Sequence, residues 1–324
     1  MIDAVYEIGQ DNTDEIFYIH YPMDYIWHPD KLKELSKYKL VVVNLSSEHW
    51  GAGGGQEAAV HCENANLNFL ILTHNPSEHL THPRVMYFPY WYHYSKKYFK
   101  RITLQTTRRY TLSCLNGNPR PHRIANYLQL LEKPYIDQTS ISFFNVLSGQ
   151  DPVREDDALL TELETDQWAQ LKHQLPIRTS VIAHDRELEL PALTESYIHL
   201  IAETTVVPNI FITEKTWKPI ACGTLFLTFS NPGSVAHLRN LGVDVFDDII
   251  DHAYYDDKLD WRVRLSCIHE LIDHLVKQDL EYIYKITESR RLENQQKFFD
   301  GTFDTRYNQE IATQIKKLQN VSIC

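Results

Sequence analysis

The sequence predicts an α/β protein made of two strand-and-helix units with a helical C-terminal region. Three observations predict it. Short runs of branched and aromatic apolar residues alternate with helix-patterned segments over residues 16–88. A second such series runs over residues 110–246, after a stretch rich in Lys, Arg and Thr. From residue 260 onward the pattern is helical throughout, with Leu265, Ile268, Leu271, Ile272 and Leu275 at helical spacing.

In the first unit, residues 16–20 and 40–45 read as strands, and residues 30–38 between them read as a helix with Asp30 as N-cap. Residues 56–65 form the next helix, 68–73 the next strand and 85–88 a further short one. This is the order of a parallel sheet flanked by helices. The second unit opens with a strand at 110–115 and a turn through Asn116-Gly117-Asn118-Pro119. A helix at 122–131 then places Ile124, Tyr127, Leu128 and Leu131 on one face. Strands follow at 141–147, 197–203, 224–230 and 243–246. Residues 151–174 are acidic and polar and read as an exposed excursion. The expected division is 1–105, 106–280 and 281–324.

The formal net charge is −11, from 32 Lys and Arg against 43 Asp and Glu. Non-specific binding to duplex DNA or to an anionic bilayer needs a basic field, so nucleic acid is not expected as a partner. The five cysteines include no CxxC pair, which fits free thiols in a reducing compartment rather than a zinc ribbon or thioredoxin-type site. Residues 1–10 carry Asp3 and Glu7 and no apolar core, so no cleaved signal is expected. No apolar run approaches the ~20 residues that span a bilayer. The expectation is a cytoplasmic protein without an integral membrane segment.

Two strand-to-helix junctions could carry chemistry. In Thr213-Glu214-Lys215-Thr216-Trp217-Lys218 a helix begins just after an apolar run. A helix N-terminus offers free N–H groups to a phosphate, Lys215 and Lys218 add positive charge, and Glu214 can accept hydrogen bonds from sugar or ribose hydroxyls. The alternative is that Thr213 only caps the helix and the charges are a solvated face. In Asn231-Pro232-Gly233-Ser234 a second strand ends and a helix opens, suited either to a ligand at the sheet's carboxyl edge or to a plain connection.

Other patterns carry less. Gly53-Gly54-Gly55-Gln56-Glu57-Ala58 matches a dinucleotide fingerprint, but Ser46 to Ala52 intervene after the strand, and the next strand ends in His74-Asn75 rather than an acid. No Gly-Lys-Ser/Thr supports a P-loop. His74, His79 and His82 match no metal-ligand spacing, and the pairs Asp247-Asp248 and Asp256-Asp257 lack the Asp-x-Asp form and read as surface. No metal site is expected. The aromatic run containing Tyr90 and Trp91 could line an acceptor cleft or pack a hinge.

Thr213-Glu214-Lys215, then an apolar helix and a strand ending in Asn231-Pro232-Gly233-Ser234, resembles the C-terminal domain of the fucosyltransferases of glycosyltransferase family 10. Related glycosyltransferases of bacteria and large phages look similar. Ser113-Cys114-Leu115-Asn116 with Arg120-Pro121-His122-Arg123 is similar to the family's strand, turn and arginine. The resemblance spans roughly residues 110–250. It implies the GT-B fold, two Rossmann-like domains facing across a cleft, with the helix at 307–318 returning to the first domain. It implies inverting transfer from a nucleotide-diphosphate sugar, GDP-sugars among the candidates, to a glycan or other hydroxyl acceptor, without a metal cofactor. Glu214 and Lys215 then contact the donor and Arg123, with Arg120 in reserve, meets its phosphates. Thr213, Lys218, Asn231 and Ser234 complete the donor side.

Inverting transfer also needs a base. After the strand at 40–45 comes Ser46-Ser47-Glu48-His49-Trp50, then four glycines within residues 51–55. A carboxylate beside Trp50 can have a raised pKa suited to deprotonating the acceptor. Glu48 is the candidate base, His49 and His74 the alternatives, and Trp50 an acceptor-side residue. Two other readings stand beside this one. One is a non-catalytic nucleotide-sugar or glycan-binding protein on the same fold. The other is a transferase acting on modified nucleic-acid bases through the basic strip at 96–109.

Overall fold

The structure, a computed structural model, describes residues 15–19, 28–46, 54–78, 82–104, 108–116, 120–143, 186, 188–206 and 208–320. The chain begins with β1 (Ile16–Ile19), α1 (Pro29–Lys33), β2 (Leu40–Asn44), α2 (Gly54–Asn64), β3 (Phe69–Thr73), β4 (Val85–Tyr87) and α3 (Tyr90–Tyr98). It continues with β5 (Tyr110–Asn116), α4 (Pro121–Leu131), β6 (Thr139–Phe143), α5 (Pro191–Thr194) and β7 (Ser196–Ala202). Then come α6 (Glu214–Ala221), β8 (Leu225–Phe229), α7 (Ser234–Asn240) and α8 (Trp261–Leu275). The last helices are α9 (Leu280–Ile286), α10 (Glu288–Asp300) and α11 (Thr305–Gln319). These elements form two compact units. Unit 1 holds Met1–Tyr94, Pro208–Ile212 and Gly301–Cys324, and unit 2 holds Ser95–Val207 and Thr213–Asp300.

Unit 1 is a parallel sheet in the order β1-β2-β3-β4. Its strands are buried on both faces, so they read as continuous apolar runs. Side chains alternate between the faces. Val41, Val43, Phe69 and Ile71 pack with Leu32, Ala58, Ala59 and Cys62 from α1 and α2. Leu40, Val42, Leu70 and Leu72 pack with Tyr90 of α3 and with Ile311, Ile315 and Leu318. The last three, at helical spacing on α11, put the C-terminal helix on the sheet of unit 1. Asn68 fastens its end, donating through Nδ2 to Lys39 O at 2.7 Å and Leu318 O at 2.8 Å.

Unit 2 is a second parallel sheet, in the order β6-β5-β7-β8. Two expectations change here. Residues 243–246 are not a strand, because α10 takes the place of a neighbouring strand. Asn294 accepts from Asp244 N at 2.9 Å and donates to Asp244 O at 2.7 Å. The Asp244 carboxylate then turns the chain by accepting from Phe246 N at 2.9 Å, with Phe246 at φ 64. Residues 281–300, expected with the terminal helices, belong to unit 2. There Arg291 and Gln295 satisfy Gly223 O at 2.7 Å and Ala221 O at 2.8 Å, carbonyls that the end of α6 leaves open. Helix α1 begins at Pro29 with His28 as its cap, so Asp30 lies inside it. The excursion at 151–174 lies outside the described residues. Among the described residues no helix is long and apolar enough to cross a membrane.

Ile311 is fully buried between α11 and the first sheet. Ile311→Ala should lower unfolding free energy by about 2–5 kcal/mol, the usual cost of a buried large-to-small change. Urea denaturation of the full chain measures it, and an unchanged midpoint would place α11 off the sheet.

Candidate functional site at the carboxyl edge of the second sheet

The order β6-β5-β7-β8 contains a switch point. From β5 the chain moves to β6 on one side, and β7 then pairs on the other. The carboxyl ends of β5 and β7 therefore mark the position at which α/β proteins bind ligands. Most donor-side residues expected from the sequence lie here.

Glu203, directly after β7, organises the edge. It is 0% exposed. Its Oε1 accepts from Thr213 N at 2.9 Å and Thr216 Oγ1 at 2.7 Å. Its Oε2 accepts from Thr213 Oγ1 at 2.6 Å and Thr204 N at 3.3 Å. Its backbone carbonyl accepts from His122 Nε2 at 3.0 Å and Arg123 at 2.9 Å. The first of these fixes the His122 proton on Nε2. Arg123 also donates to Ala202 O at 3.0 Å.

This changes what Arg123 can do. The residue, expected to meet donor phosphates, is 2% exposed and donates to the β7 carbonyls across the switch point. Burial, with the nearby charge of Arg120, brings its guanidinium down to about 10, so it stays cationic at neutral pH. Its field reaches Glu214. Arg120, at the N-cap of α4, is part exposed where Arg123 is buried.

Thr213 is the N-cap of α6, with its hydroxyl accepting from Lys215 N at 3.4 Å. The Lys215 ammonium donates to Glu214 Oε1 at 2.7 Å, Thr213 Oγ1 at 3.3 Å and Thr204 Oγ1 at 3.5 Å. The Lys215 side chain keeps 20% exposure. Burial disfavours the charge on Glu214, but Lys215 and Lys218 outweigh it and hold its carboxyl below the usual range. Lys218 is buried and its charge, added to burial, presses His199 down to about 3. The edge thus gathers Arg120, Arg123, Thr213, Glu214, Lys215 and Lys218 into one interacting group.

The second junction is built differently. Asn231 and Ser234 are buried, joined through Ser230 Oγ, which lies 3.4 Å from Asn231 Oδ1 and 3.1 Å from Ser234 Oγ. Gly233 caps α7 at φ 80, a left-handed conformation that favours glycine. The N-terminus of α7 is filled by the protein itself: Asp256 accepts from Val235 N at 3.0 Å and Ala236 N at 2.9 Å. The sequence places Asp256 at the surface. It is instead 8% exposed because it is this cap, and burial raises its pKa. Its loop is held by a relay in which Tyr255 accepts from Thr228 N at 3.1 Å and His252 Nε2 donates to Val245 O at 2.7 Å.

In unit 1, Glu48, His49 and Trp50 lie outside the described residues. The acceptor-side residues that are described pack inward. Tyr90 is in the core, Trp91 packs against it, and His74 is buried edge-on to Phe211 at 4.7 Å. The aromatic run therefore builds the face that α11 covers. Glycines 54 and 55 begin α2, where Glu78 accepts from Gly55 N at 3.1 Å and Thr73 Oγ1 at 2.8 Å. A Cβ on Gly55 would stand 2.5 Å from Glu78 Oε2, so the glycine permits this approach. Among the described residues no group of His, Cys, Asp and Glu is arranged to hold a metal ion.

No family model, curated protein or solved structure matches this chain. Glu203 opens the segment Glu203-Thr204-Thr205 ahead of the Thr213-Glu214-Lys215 motif, and the sequence alone gives it no role. Its signal is an acid at the end of an apolar strand, ten residues before a threonine N-cap.

Buried histidines tie this unit to pH. Burial takes His122 and His199 down to about 3 and His237, His252 and His269 to about 4, against 6.5 in the unfolded chain. Below pH 6.5 the unfolded chain binds protons that the folded one refuses, so stability is complete above about pH 6.5 and falls as the pH drops toward 4. Urea midpoints across pH 4–8 should decline in that window, less steeply in His122→Asn. A flat profile would contradict neutral buried imidazoles.

Proposed function

We propose that this chain is an inverting glycosyltransferase of the GT-B type. It moves a sugar from a nucleotide-diphosphate donor to a glycan or other hydroxyl acceptor without a metal cofactor. The observation that carries the reading is the group around Glu214. A chain of net charge −11 places Arg123, Lys215 and Lys218 in the field of the Glu214 carboxylate at the switch-point edge of a parallel sheet, with Arg120 beside Arg123 and a second carboxylate, Glu203, bonded within the frame. Charge develops on the diphosphate as the sugar leaves, and a cation held in place beforehand stabilises it without reorganisation. Lys215 is held in this way by Glu214, Thr213 and Thr204. Arg120 supplies the second contact, and Arg123 and Lys218 add their field from beneath. Glu214 remains ionised and can accept from sugar or ribose hydroxyls.

Glu48 is proposed as the base that takes the acceptor proton, with His49 as its alternate and Trp50 beside the acceptor. The reaction is placed in the cytoplasm, in keeping with Cys62, Cys114, Cys222 and Cys267, which are buried and free.

The test is a panel of nucleotide sugars with the full chain, reading donor hydrolysis and nucleoside-diphosphate affinity, with and without chelator. Turnover should survive chelation. Lys215→Ala should weaken nucleoside-diphosphate binding by about 1.5–3 kcal/mol, as for a charge-assisted hydrogen bond. Glu48→Gln should leave that affinity intact and lower turnover by about 10²–10⁴-fold. Binding without any turnover would assign the chain to the nucleotide-sugar-binding class instead.

A further inference from the structure

We infer that Glu203 is a positioning residue: through the Thr213 hydroxyl it orients the Lys215 ammonium toward the ligand. The inference rests on the donor-site reading for its function, but its physical content stands on geometry alone. Every contact to the Glu203 carboxylate comes from a donor, two backbone N–H groups and two threonine hydroxyls. A threonine hydroxyl has one proton and two lone pairs. Thr213 gives its proton to Glu203 Oε2 at 2.6 Å, so both lone pairs turn the other way, toward Lys215 N at 3.4 Å and Lys215 Nζ at 3.3 Å. The acceptor-only carboxylate thus sets the polarity of the chain Glu203–Thr213–Lys215. It also fixes Thr204, whose hydroxyl is another acceptor for the ammonium, by taking its backbone N–H.

The substitution Glu203→Gln keeps the shape and breaks this logic. The amide has only one acceptor oxygen, and its NH₂ would face groups that are themselves donors. Wherever the NH₂ faces Thr213, the hydroxyl must accept from it and turn its own proton toward Lys215. The ammonium then loses one of its three acceptors, keeps Glu214 and Thr204, and is held less firmly.

The experiment compares the full chain with Glu203→Gln, Thr213→Val, Lys215→Ala and the double variant Glu203→Gln/Lys215→Ala. The first readout needs no ligand: proton–nitrogen spectra of the lysine ammonium groups, with the Lys215 signal assigned by its loss in Lys215→Arg. The expected result is a protected Lys215 signal in the parent chain, exchanging several-fold faster or lost in Glu203→Gln. Thr213→Val, which leaves the Thr216 bond to Glu203 in place, should do the same and decides the matter if Glu203→Gln does not fold. An unchanged Lys215 signal in a folded variant of either kind would overturn the inference. The second readout is calorimetry with GDP and UDP. Glu203→Gln should weaken binding about tenfold, with no added loss in the Lys215→Ala background. Equal losses in both backgrounds would reduce Glu203 to a structural role. If the parent chain bound neither nucleotide, the donor-site reading would fail, and the ammonium spectra would still decide the part played by Glu203.

Discussion

A carboxylate with no exposure to water needs a full set of donors, because an unpartnered buried charge costs several kcal/mol. Glu203 has that set, four donors from three residues, two of them the N–H and hydroxyl of Thr213. Thr204 begins the loop, Thr213 caps α6 and Thr216 lies in its first turn. The carbonyl of the same residue draws in His122 and Arg123 from α4 across the switch point. One side chain and its own peptide thus tie the starts of α4 and α6 to the end of β7. Each carboxylate oxygen accepts from two donors, so the loss of one partner weakens the frame and leaves the other bond to that oxygen in place.

The same device recurs at other helix starts. Glu78 accepts from the beginning of α2, and Asp256 from the beginning of α7. The positive ends of helices attract carboxylates as readily as phosphates, and here the protein's own acids occupy them. The consequence for recognition is direct. At α6 the cap is Thr213, held by Glu203, and in the function proposed above the anion is met by side chains, Lys215 and Arg120, with Arg123 and Lys218 buried. Beside the N-terminus marked by Thr213-Glu214-Lys215 the structure adds an ammonium held by Glu214 and Thr213.

Strands were legible in the sequence wherever burial on both faces made them short continuous apolar runs, as in Leu40–Asn44 and Leu225–Phe229. Residues 243–246 have the same local composition, but Asn294 supplies the hydrogen bonds that a neighbouring strand would have made. That competition is tertiary and leaves no mark on the segment. The cations of the site were legible as types and spacings. Their exposure was not, because Arg123 and Arg120 are three residues apart on one helix start and only folding decides which meets the sheet. Asp256 read as surface for the same reason: an acidic pair looks solvated until a helix N-terminus is brought against it. Tyr90 and Trp91 carried two readings, and the helix that covers them, α11, comes more than two hundred residues later.

The central claim is that the carboxyl edge of the second sheet receives a diphosphate through Lys215 and Arg120 while Glu203 holds the frame. A crystal structure of the full chain soaked with GDP or UDP tests it most directly. The account predicts a diphosphate oxygen within hydrogen-bond distance of Lys215 Nζ, a second contact from Arg120, and the Glu203 bonds to Thr213 and Thr216 unchanged. A nucleotide bound elsewhere, or seated at this edge with Lys215 still closed on Glu214 and making no phosphate contact, would contradict it.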